Sequence, residues 1–160
     1  GGEWMASRGK TFVILGAGGA ARAAVRGLKE AGGVPVVVNR TGERSRTLAG
    51  DFSCRWAPTE EIGSLRADCL INTTPLGMFP DTEQTPLEEQ YLPNFPRVME
   101  MIYNPLMTRL LREAAGAGCA VRSGVGMFVH QGAEQIRLWT GMEPPREEMR
   151  RVVLERLEER

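Results

Sequence analysis

Short runs of apolar residues alternate along the chain with longer segments whose apolar positions recur every three to four residues. The runs predict six β-strands, and the periodic segments predict five helices. The predicted strands cover residues 11–15, 34–39, 53–56, 69–73, 98–102 and 120–122, and the predicted helices cover residues 20–31, 41–50, 108–117, 127–140 and 147–158. Residues 81–96 contain three prolines, which predicts a loop with room for one helical turn.

Strands that alternate with helices form β-α-β units, and right-handed crossovers join such units into a parallel sheet. The pattern therefore predicts an α/β fold, a doubly wound and mostly parallel Rossmann sheet of about six strands with helices on both faces. Gly32 and Gly33 are expected to end the first helix, and Thr41 is expected to cap the second.

Composition narrows the function classes. The chain has 160 residues, 42% of them apolar, with 20 basic and 20 acidic side chains. This balance argues against nucleic-acid or anionic-membrane binding, and we expect neither a membrane span nor a secretory signal. One histidine and three scattered cysteines predict no metal site and indicate a reducing cytoplasm.

A glycine-rich turn lies between the first predicted strand and the first predicted helix. Residues 16–21 read Gly-Ala-Gly-Gly-Ala-Ala and match G-x-G-x-x-A. The first glycine permits the tight turn, the second lets the backbone approach a pyrophosphate, and Ala21 lets the helix pack close to the strand. The context favours dinucleotide binding. The alternative is a tight turn in a domain that binds no nucleotide.

The end of the second predicted strand indicates which dinucleotide is bound. NAD-binding folds usually place Asp or Glu there, to accept a hydrogen bond from the ribose 2′-hydroxyl. This chain has Asn39 and Arg40, followed by Thr41 and Arg44. Since a guanidinium suits a phosphate and a carboxylate would repel one, the sequence predicts NADP. The alternative is that Arg40 and Arg44 are ordinary solvated charges.

The fourth predicted strand ends in the polar cluster Asn72, Thr73 and Thr74, followed by a proline. Ligands of open α/β sheets bind at the carboxyl ends of strands. The cluster is therefore a candidate for binding the nicotinamide ribose, although a Thr-Pro turn would place the same residues there.

Five ordered motifs cover nearly the whole chain. They read GAGGAAR at 16–22, NRT-x-x-R at 39–44, INTTPLGM at 71–78, IYNP-x-x-T-x-LL at 102–111, and G-x-G-M-x-V-x-Q at 124–131 followed by WTG. Together they resemble the signatures of shikimate dehydrogenase, specifically its NADP-binding carboxy-terminal domain. The resemblance implies the reversible NADPH-dependent reduction of 3-dehydroshikimate to shikimate, a step of chorismate and aromatic amino-acid biosynthesis.

The resemblance also implies residue roles. The pyrophosphate would lie against Gly16, Ala17, Gly18, Gly19 and Ala20. The 2′-phosphate would be surrounded by Asn39, Arg40, Thr41 and Arg44. The nicotinamide half would contact Thr73, Thr74, Met101, Gly124 and Met127, and the substrate would meet Tyr103 and Gln131.

The chain departs from the family pattern at several places. Glu100 stands where the family usually has Asp, Ser123 where it often has Asp or Asn, and His130 where a small or apolar residue is common. His130 is expected to be a surface or packing residue rather than an acid or base.

The larger departure is length, because the family's amino-terminal substrate domain supplies a catalytic Lys and Asp. We therefore expect no catalytic residue in this chain. We expect residues 1–123 to form the NADP-binding domain and residues 124–160 to form helices that pack toward the missing domain. Without that domain, these helices are expected to fold back, pair in a homodimer or remain mobile. The last helix has an apolar stripe of Met149, Val152, Val153 and Leu157.

The parent is expected to be a monofunctional shikimate dehydrogenase or the last domain of a multifunctional shikimate-pathway polypeptide. Two alternatives stay open. The first is a quinate/shikimate dehydrogenase of broader specificity, and the second is a non-catalytic module that senses NADP or regulates through the same fold.

Overall fold

The computed structural model describes residues 6–158. The chain runs β1 (Thr11–Leu15), α1 (Gly19–Glu30), β2 (Val34–Asn39), α2 (Gly42–Asp51), β3 (Arg55–Pro58), β4 (Cys69–Asn72), β5 (Arg97–Glu100), α3 (Arg109–Gly116), β6 (Ala120–Arg122), α4 (Val125–Thr140) and α5 (Arg146–Glu158). Two 3₁₀ helices, Thr59–Ser64 and Glu89–Asn94, lie in the connections before β4 and β5. The second is the helical turn expected within residues 81–96.

The six strands form one parallel sheet in the order β3-β2-β1-β4-β5-β6. The α/β fold predicted from the sequence is therefore confirmed. β1 is central and pairs with β2 on one side and β4 on the other, so the strand order reverses beside it. In such sheets ligands bind beyond the carboxyl ends of the strands at this reversal.

The strand side chains alternate between the two faces of the sheet, and both faces are covered. On one face, Val13 and Leu15 pack with Phe95 and with Leu110 of α3. On the other face, Phe12 and Ile14 pack with apolar residues of α1 and α2. Such double burial explains why the central strands read as continuous apolar runs.

The helix ends follow the sequence signals with one exception. Gly32 adopts a φ of +80°, and the N–H of Gly33 donates to the carbonyl of Leu28, so the two glycines end α1 as predicted. The hydroxyl of Thr108 caps α3 by accepting from the N–H of Leu111. Thr41 does occupy the cap position of α2, but its side chain makes no capping hydrogen bond, so the expected Thr41 cap is wrong in that respect.

Three elements, β3, β5 and α4, differ from the sequence predictions by two residues at a boundary, and the others differ by one residue or not at all. β3 begins at Arg55 because Ser53 has a φ of +49°, a left-handed conformation that cannot continue a strand. β5 ends at Glu100 rather than at residue 102, because the carbonyl of Ile102 accepts from the N–H of Gly124 in the turn before α4. α4 begins at Val125, two residues earlier than predicted, and the N–H of Phe128 bonds to the carbonyl of Gly124.

The last two helices pack mainly on each other. α4 buries Val125, Val129 and Ala133, whereas none of the described side chains of α5 is buried. Val152 is 51% exposed, so it does not belong to the packed face that the sequence assigned to it. The half-buried apolar residues of α5 are Met149, Val153, Leu154 and Leu157.

The predicted segments 1–123 and 124–160 remain a prediction, and their outermost residues, 1–5 and 159–160, lie outside the described part of the chain. No described helix has the length and apolar character needed to cross a membrane.

Candidate functional site

A cleft of about 460 Å³ opens at the carboxyl ends of β1, β2 and β4, where the strand order reverses. Eight of the residues predicted to bind the cofactor line it, namely Gly16, Ala17, Gly18, Asn39, Arg40, Arg44, Thr73 and Thr74. No acidic side chain lines this cleft in the described part of the chain. A wider depression of about 810 Å³ lies on the α4–α5 connection, open to solvent, and it shares no lining residue with the cleft.

The glycine turn is shaped by contact with the neighbouring strands. Gly16 has a φ of +111°, and its N–H donates to the carbonyl of Val38 at 2.8 Å. A Cβ atom at this position would lie 2.5 Å from Oγ1 of Thr73. Only glycine therefore satisfies both the backbone conformation and the close approach of β4.

The amino terminus of α1 faces the cleft directly after this turn. Its first helical residue is Gly19, with Gly18 at the cap position, and its first turn carries no acidic residue. A Cβ atom on Gly18 or Gly19 would meet no protein atom within 4 Å, so their surface is open to a ligand. The first N–H groups of a helix have no partner inside it, and they favour an anion together with the helix dipole. Ala20 is exposed in this first turn.

The end of β2 contributes positive charge. Arg40 and Arg44 line the cleft, and neither forms an ion pair within residues 6–158. The amide nitrogen of Asn39 donates to the carbonyl of Thr41 at 3.1 Å and so stiffens the turn between β2 and α2. Thr41 itself lies in an adjoining depression of about 410 Å³, which shares Ala17 and Arg44 with the cleft.

The two threonines after β4 have the donors of their hydroxyl groups occupied inside the protein. Thr73 Oγ1 donates to the carbonyl of Leu15 at 2.6 Å, and Thr74 Oγ1 donates to Oδ1 of Asn72 at 2.7 Å. Both hydroxyls can therefore meet a ligand only as acceptors, and that of Thr74 already accepts one hydrogen bond, from the N–H of Leu76 at 3.3 Å. Asn72 is fully buried, so the proposal from sequence that it bonds a ligand is wrong.

Behind this pair lies a buried carboxyl group, Glu100. It accepts from the amide nitrogen of Asn72 at 2.6 Å and from the hydroxyl of Thr108 at 2.8 Å. Burial raises the pKa of Glu100 to about 7, against the opposing effect of hydrogen bonds from Thr108, Asn72 and the N–H of Ile102. The carboxyl group of Glu100 is therefore fully hydrogen-bonded at the end of β5.

The remaining predicted residues lie at the corner where β5 leads toward α4, outside the residues that line the cleft. Gly124 is the cap residue before α4, and a Cβ atom there would overlap the carbonyl oxygen of Met101. Met101 is half-buried against the core residues of one sheet face, and Met127 is half-buried on α4. The ring of Tyr103 stacks on Phe128, with 4.1 Å between the ring centroids.

Gln131 is exposed one helical turn after Phe128, so both lie on the same side of α4. Sequence reasoning missed Phe128, although its spacing of three from Gln131 was an available signal. It also missed the walls of the cleft formed by Thr59, Ile62, Leu76, Thr85 and Pro86.

His130 lies on the surface, as expected. Its Nδ1 atom is 3.2 Å from a guanidinium nitrogen of Arg146 on α5. Among residues 6–158 no three His, Cys, Asp or Glu side chains are grouped as a metal site requires.

The strand order, the glycine turn and the open helix terminus beside the reversal define a Rossmann-type domain. Comparison with known proteins then shows which Rossmann-type domains this chain resembles. Residues 124–154 match the family described as "Shikimate 5'-dehydrogenase C-terminal domain". Shikimate dehydrogenase (NADP(+)) of Methanosarcina mazei is 48% identical in an alignment that covers 94% of this chain and 57% of the relative.

Solved structures show the same similarity to shikimate dehydrogenase. A chorismate mutase/shikimate 5-dehydrogenase fusion protein from Clostridium acetobutylicum superposes with a TM-score of 0.89 at 29% identity, over 96% of this chain and 57% of that one. Shikimate 5-dehydrogenase from Thermus thermophilus, in complex with NADP(H) and shikimate, gives 0.81 at 38% identity, over 91% and 55%. The resemblance to shikimate dehydrogenase inferred from the motifs is confirmed, and the chain spans a little over half the length of these relatives.

Proposed function

We propose that this chain binds NADP(H) in the cleft and is the cofactor-binding part of a shikimate dehydrogenase. The observation that carries the proposal is electrostatic. Arg40 and Arg44 line the cleft without an ion pair in the described part of the chain, and no described acidic side chain shares the cleft with them. Two free guanidinium groups beside an open helix terminus suit a ligand that carries both a pyrophosphate and a further phosphate.

The residues present fit such a ligand from one end to the other. The pyrophosphate would bind at residues 16–20, where the missing side chains of Gly18 and Gly19 leave room for it. The 2′-phosphate would bind among Asn39, Arg40, Thr41 and Arg44. Thr73 and Thr74 would accept hydrogen bonds from the nicotinamide half.

The corner between β5 and α4 would complete the site. Met101, Gly124 and Met127 would border the nicotinamide ring, and Tyr103 and Gln131 would reach the substrate through a hydroxyl and an amide. The stacking of Tyr103 on Phe128 limits where that hydroxyl can point.

The whole-protein activity proposed is the reversible reduction of 3-dehydroshikimate to shikimate. When bound, NADPH supplies the hydride, and this chain binds and orients it. The relatives are named shikimate dehydrogenase, and this chain matches 57% of the length of the first of them. We therefore propose that the proton-transferring Lys and Asp belong to an amino-terminal substrate domain. We also propose that the protein works in the cytoplasm.

The test is a comparison of cofactor affinities. The chain should bind NADPH more tightly than NADH. Arg40→Ala should weaken NADPH binding by roughly ten- to a hundredfold and leave NADH binding nearly unchanged, because a charge-assisted pair with phosphate is lost. Arg46→Ala is the matched control, since Arg46 lies nearby on α2, is exposed and does not line the cleft. Equal affinity of the unmodified chain for both cofactors would refute the proposal.

A turnover assay addresses the second part of the proposal. The chain alone should oxidise NADPH with 3-dehydroshikimate only very slowly, because general acid–base help is worth about a hundred- to ten-thousandfold. Rapid loss of NADPH absorbance would show that the catalytic group lies within these 160 residues.

A further inference from the structure

A chain of buried hydrogen bonds connects the core to the wall of the cleft. Asn72 and Glu100 are register partners at the ends of β4 and β5, and both side chains are fully buried. Glu100 accepts from the amide nitrogen of Asn72 at 2.6 Å, and Asn72 Oδ1 accepts from the hydroxyl of Thr74 at 2.7 Å. Thr74 is the only one of the three that lines the cleft.

The orientation of each group in this chain follows from which atoms can donate. The backbone N–H of Thr74 donates to Asn72 at 2.9 Å, so the atom of Asn72 that faces Thr74 is its oxygen. The amide nitrogen of Asn72 therefore faces Glu100. Since an amide oxygen can only accept, the hydroxyl of Thr74 gives its hydrogen to Asn72. Of the two lone pairs on its oxygen, one accepts from the N–H of Leu76 at 3.3 Å and the other is left for a donor in the cleft.

We propose that Glu100 is a positioning residue for the cofactor, because its acceptor oxygen orients Asn72 and thereby makes the Thr74 hydroxyl an acceptor toward the nicotinamide half. This inference rests on the proposed function. The ligand group that meets Thr74 must then be a donor, such as a ribose hydroxyl or a carboxamide N–H. Without an acceptor at position 100, the buried amide nitrogen of Asn72 loses its partner, and its rotation would free the Thr74 hydrogen to turn outward.

Three variants separate the hydrogen bond between Glu100 and Asn72 from the negative charge of Glu100. Glu100→Met is similar in length but cannot accept a hydrogen bond, and it should weaken NADPH binding by roughly three- to tenfold, the value of one hydrogen bond. Glu100→Gln retains an acceptor oxygen and should stay within about twofold of the unmodified chain. Glu113→Gln is the control, because Glu113 is a largely buried glutamate on α3 that pairs with Arg109 and does not line the cleft.

A double-variant cycle shows whether Glu100 acts through Thr74. Binding is followed by NADPH fluorescence, and folding is checked by urea unfolding. In a Thr74→Val background, Glu100→Met should change NADPH affinity by less than about twofold, because the hydroxyl that it orients is gone. An equal loss in both backgrounds would show a general effect on the fold and overturn the proposal. If Glu100→Met does not fold, Asn72→Ala cuts the same link and is tested in the same cycle.

Amide hydrogen exchange gives a readout that needs no cofactor. The N–H of Thr74 should exchange faster in Glu100→Met than in Glu100→Gln, because its acceptor is no longer oriented. Equal exchange in the two variants would overturn the proposal. Failure of the unmodified chain to bind NADPH would refute the proposed function instead, and the exchange data would still decide whether Glu100 orients Thr74.

Discussion

The sheet with helices α1–α3 and the pair α4–α5 bury their apolar residues to very different extents. Ile14, Leu70 and Phe95 in the first region are fully buried. In the second region, α5 buries none of its described side chains, and Leu138 and Trp139 at the end of α4 are 73% and 79% exposed. The sheet completes its own core on both faces, whereas the last two helices retain apolar surface that nothing in the described chain covers.

The polar contacts between α4 and α5 are exposed as well. Arg146 on α5 bonds to Glu134 at 2.8 Å and approaches His130, and all of these groups are at the surface. Exposed ion pairs contribute little to stability because water solvates the separated charges well. The stability of this chain should therefore reside almost entirely in the sheet region, and three predictions test that inference.

The largest effect is expected in the sheet core. Phe95→Ala should lower the free energy of unfolding by roughly 3–5 kcal/mol, because a fully buried ring is lost and a cavity remains. The matched change in the other region, Leu138→Ala, should cost less than about 0.5 kcal/mol, since that side chain is mostly in water already. Urea unfolding of both variants measures the two values. Comparable losses would mean that α4 is as well packed as the sheet.

The second prediction concerns the pH dependence contributed by Glu100. Its pKa is about 7 in the folded protein against an ordinary 4.5, so between these values the folded state binds more protons than the unfolded state. Stability from this group is therefore full below about pH 4.5, falls as the pH rises, and is lost above about pH 7. The whole change is on the order of 3 kcal/mol, since each pKa unit is worth about 1.4 kcal/mol.

Glu100→Gln isolates that contribution, because glutamine does not titrate. Urea unfolding at pH 5 and pH 8 should show the unmodified chain losing more stability than the variant over this interval. If both lose the same amount, the carboxyl group of Glu100 is not responsible for the difference. The effect belongs to the sheet region, since Glu100 ends β5 and is bonded to Asn72 of β4 and to Thr108, the cap of α3.

Much of the sheet region could be predicted from sequence, for physical reasons. The apolar runs of β1, β2 and β4 are continuous because both faces of the sheet are buried. The glycine turn could be predicted because residue 16 has a φ of +111°, which few residues other than glycine adopt. The connection from Asn72 to Glu100 could not be predicted, because it joins residues 28 positions apart through side-chain hydrogen bonds. Ser53 was missed for a local reason, since nothing in its residue type demands a left-handed conformation.

In the second region, helical periodicity found both helices but not the packed face of α5. The stripe at residues 149, 152, 153 and 157 contains Val152, which faces solvent, and omits Leu154, which is half-buried. A stripe shows which side chains are apolar. The face that packs depends on the neighbouring helix, which is a tertiary property.

The smallest effect is expected from removing α5. A chain ending at Pro145 retains the buried Pro144 and loses a helix with no fully buried side chain. Its free energy of unfolding should fall by less than the loss in Phe95→Ala, because the contacts that α5 makes with α4 involve only half-buried side chains of α5. NADPH affinity should stay within about twofold, since no residue of α5 lines the cleft.

Sedimentation and hydrogen exchange show what covers the apolar surface in solution. If a second copy of the chain covers it, the unshortened chain should sediment as a dimer and gain stability with concentration, and the shortened chain should do neither. If the surface stays open, both chains sediment as monomers and the amides of α5 exchange within the shortest times measured. A loss of stability as large as that of Phe95→Ala in a monomer would instead make α5 part of the same cooperative core as the sheet. The contrast between the two regions would then be one of solvent exposure without any consequence for stability.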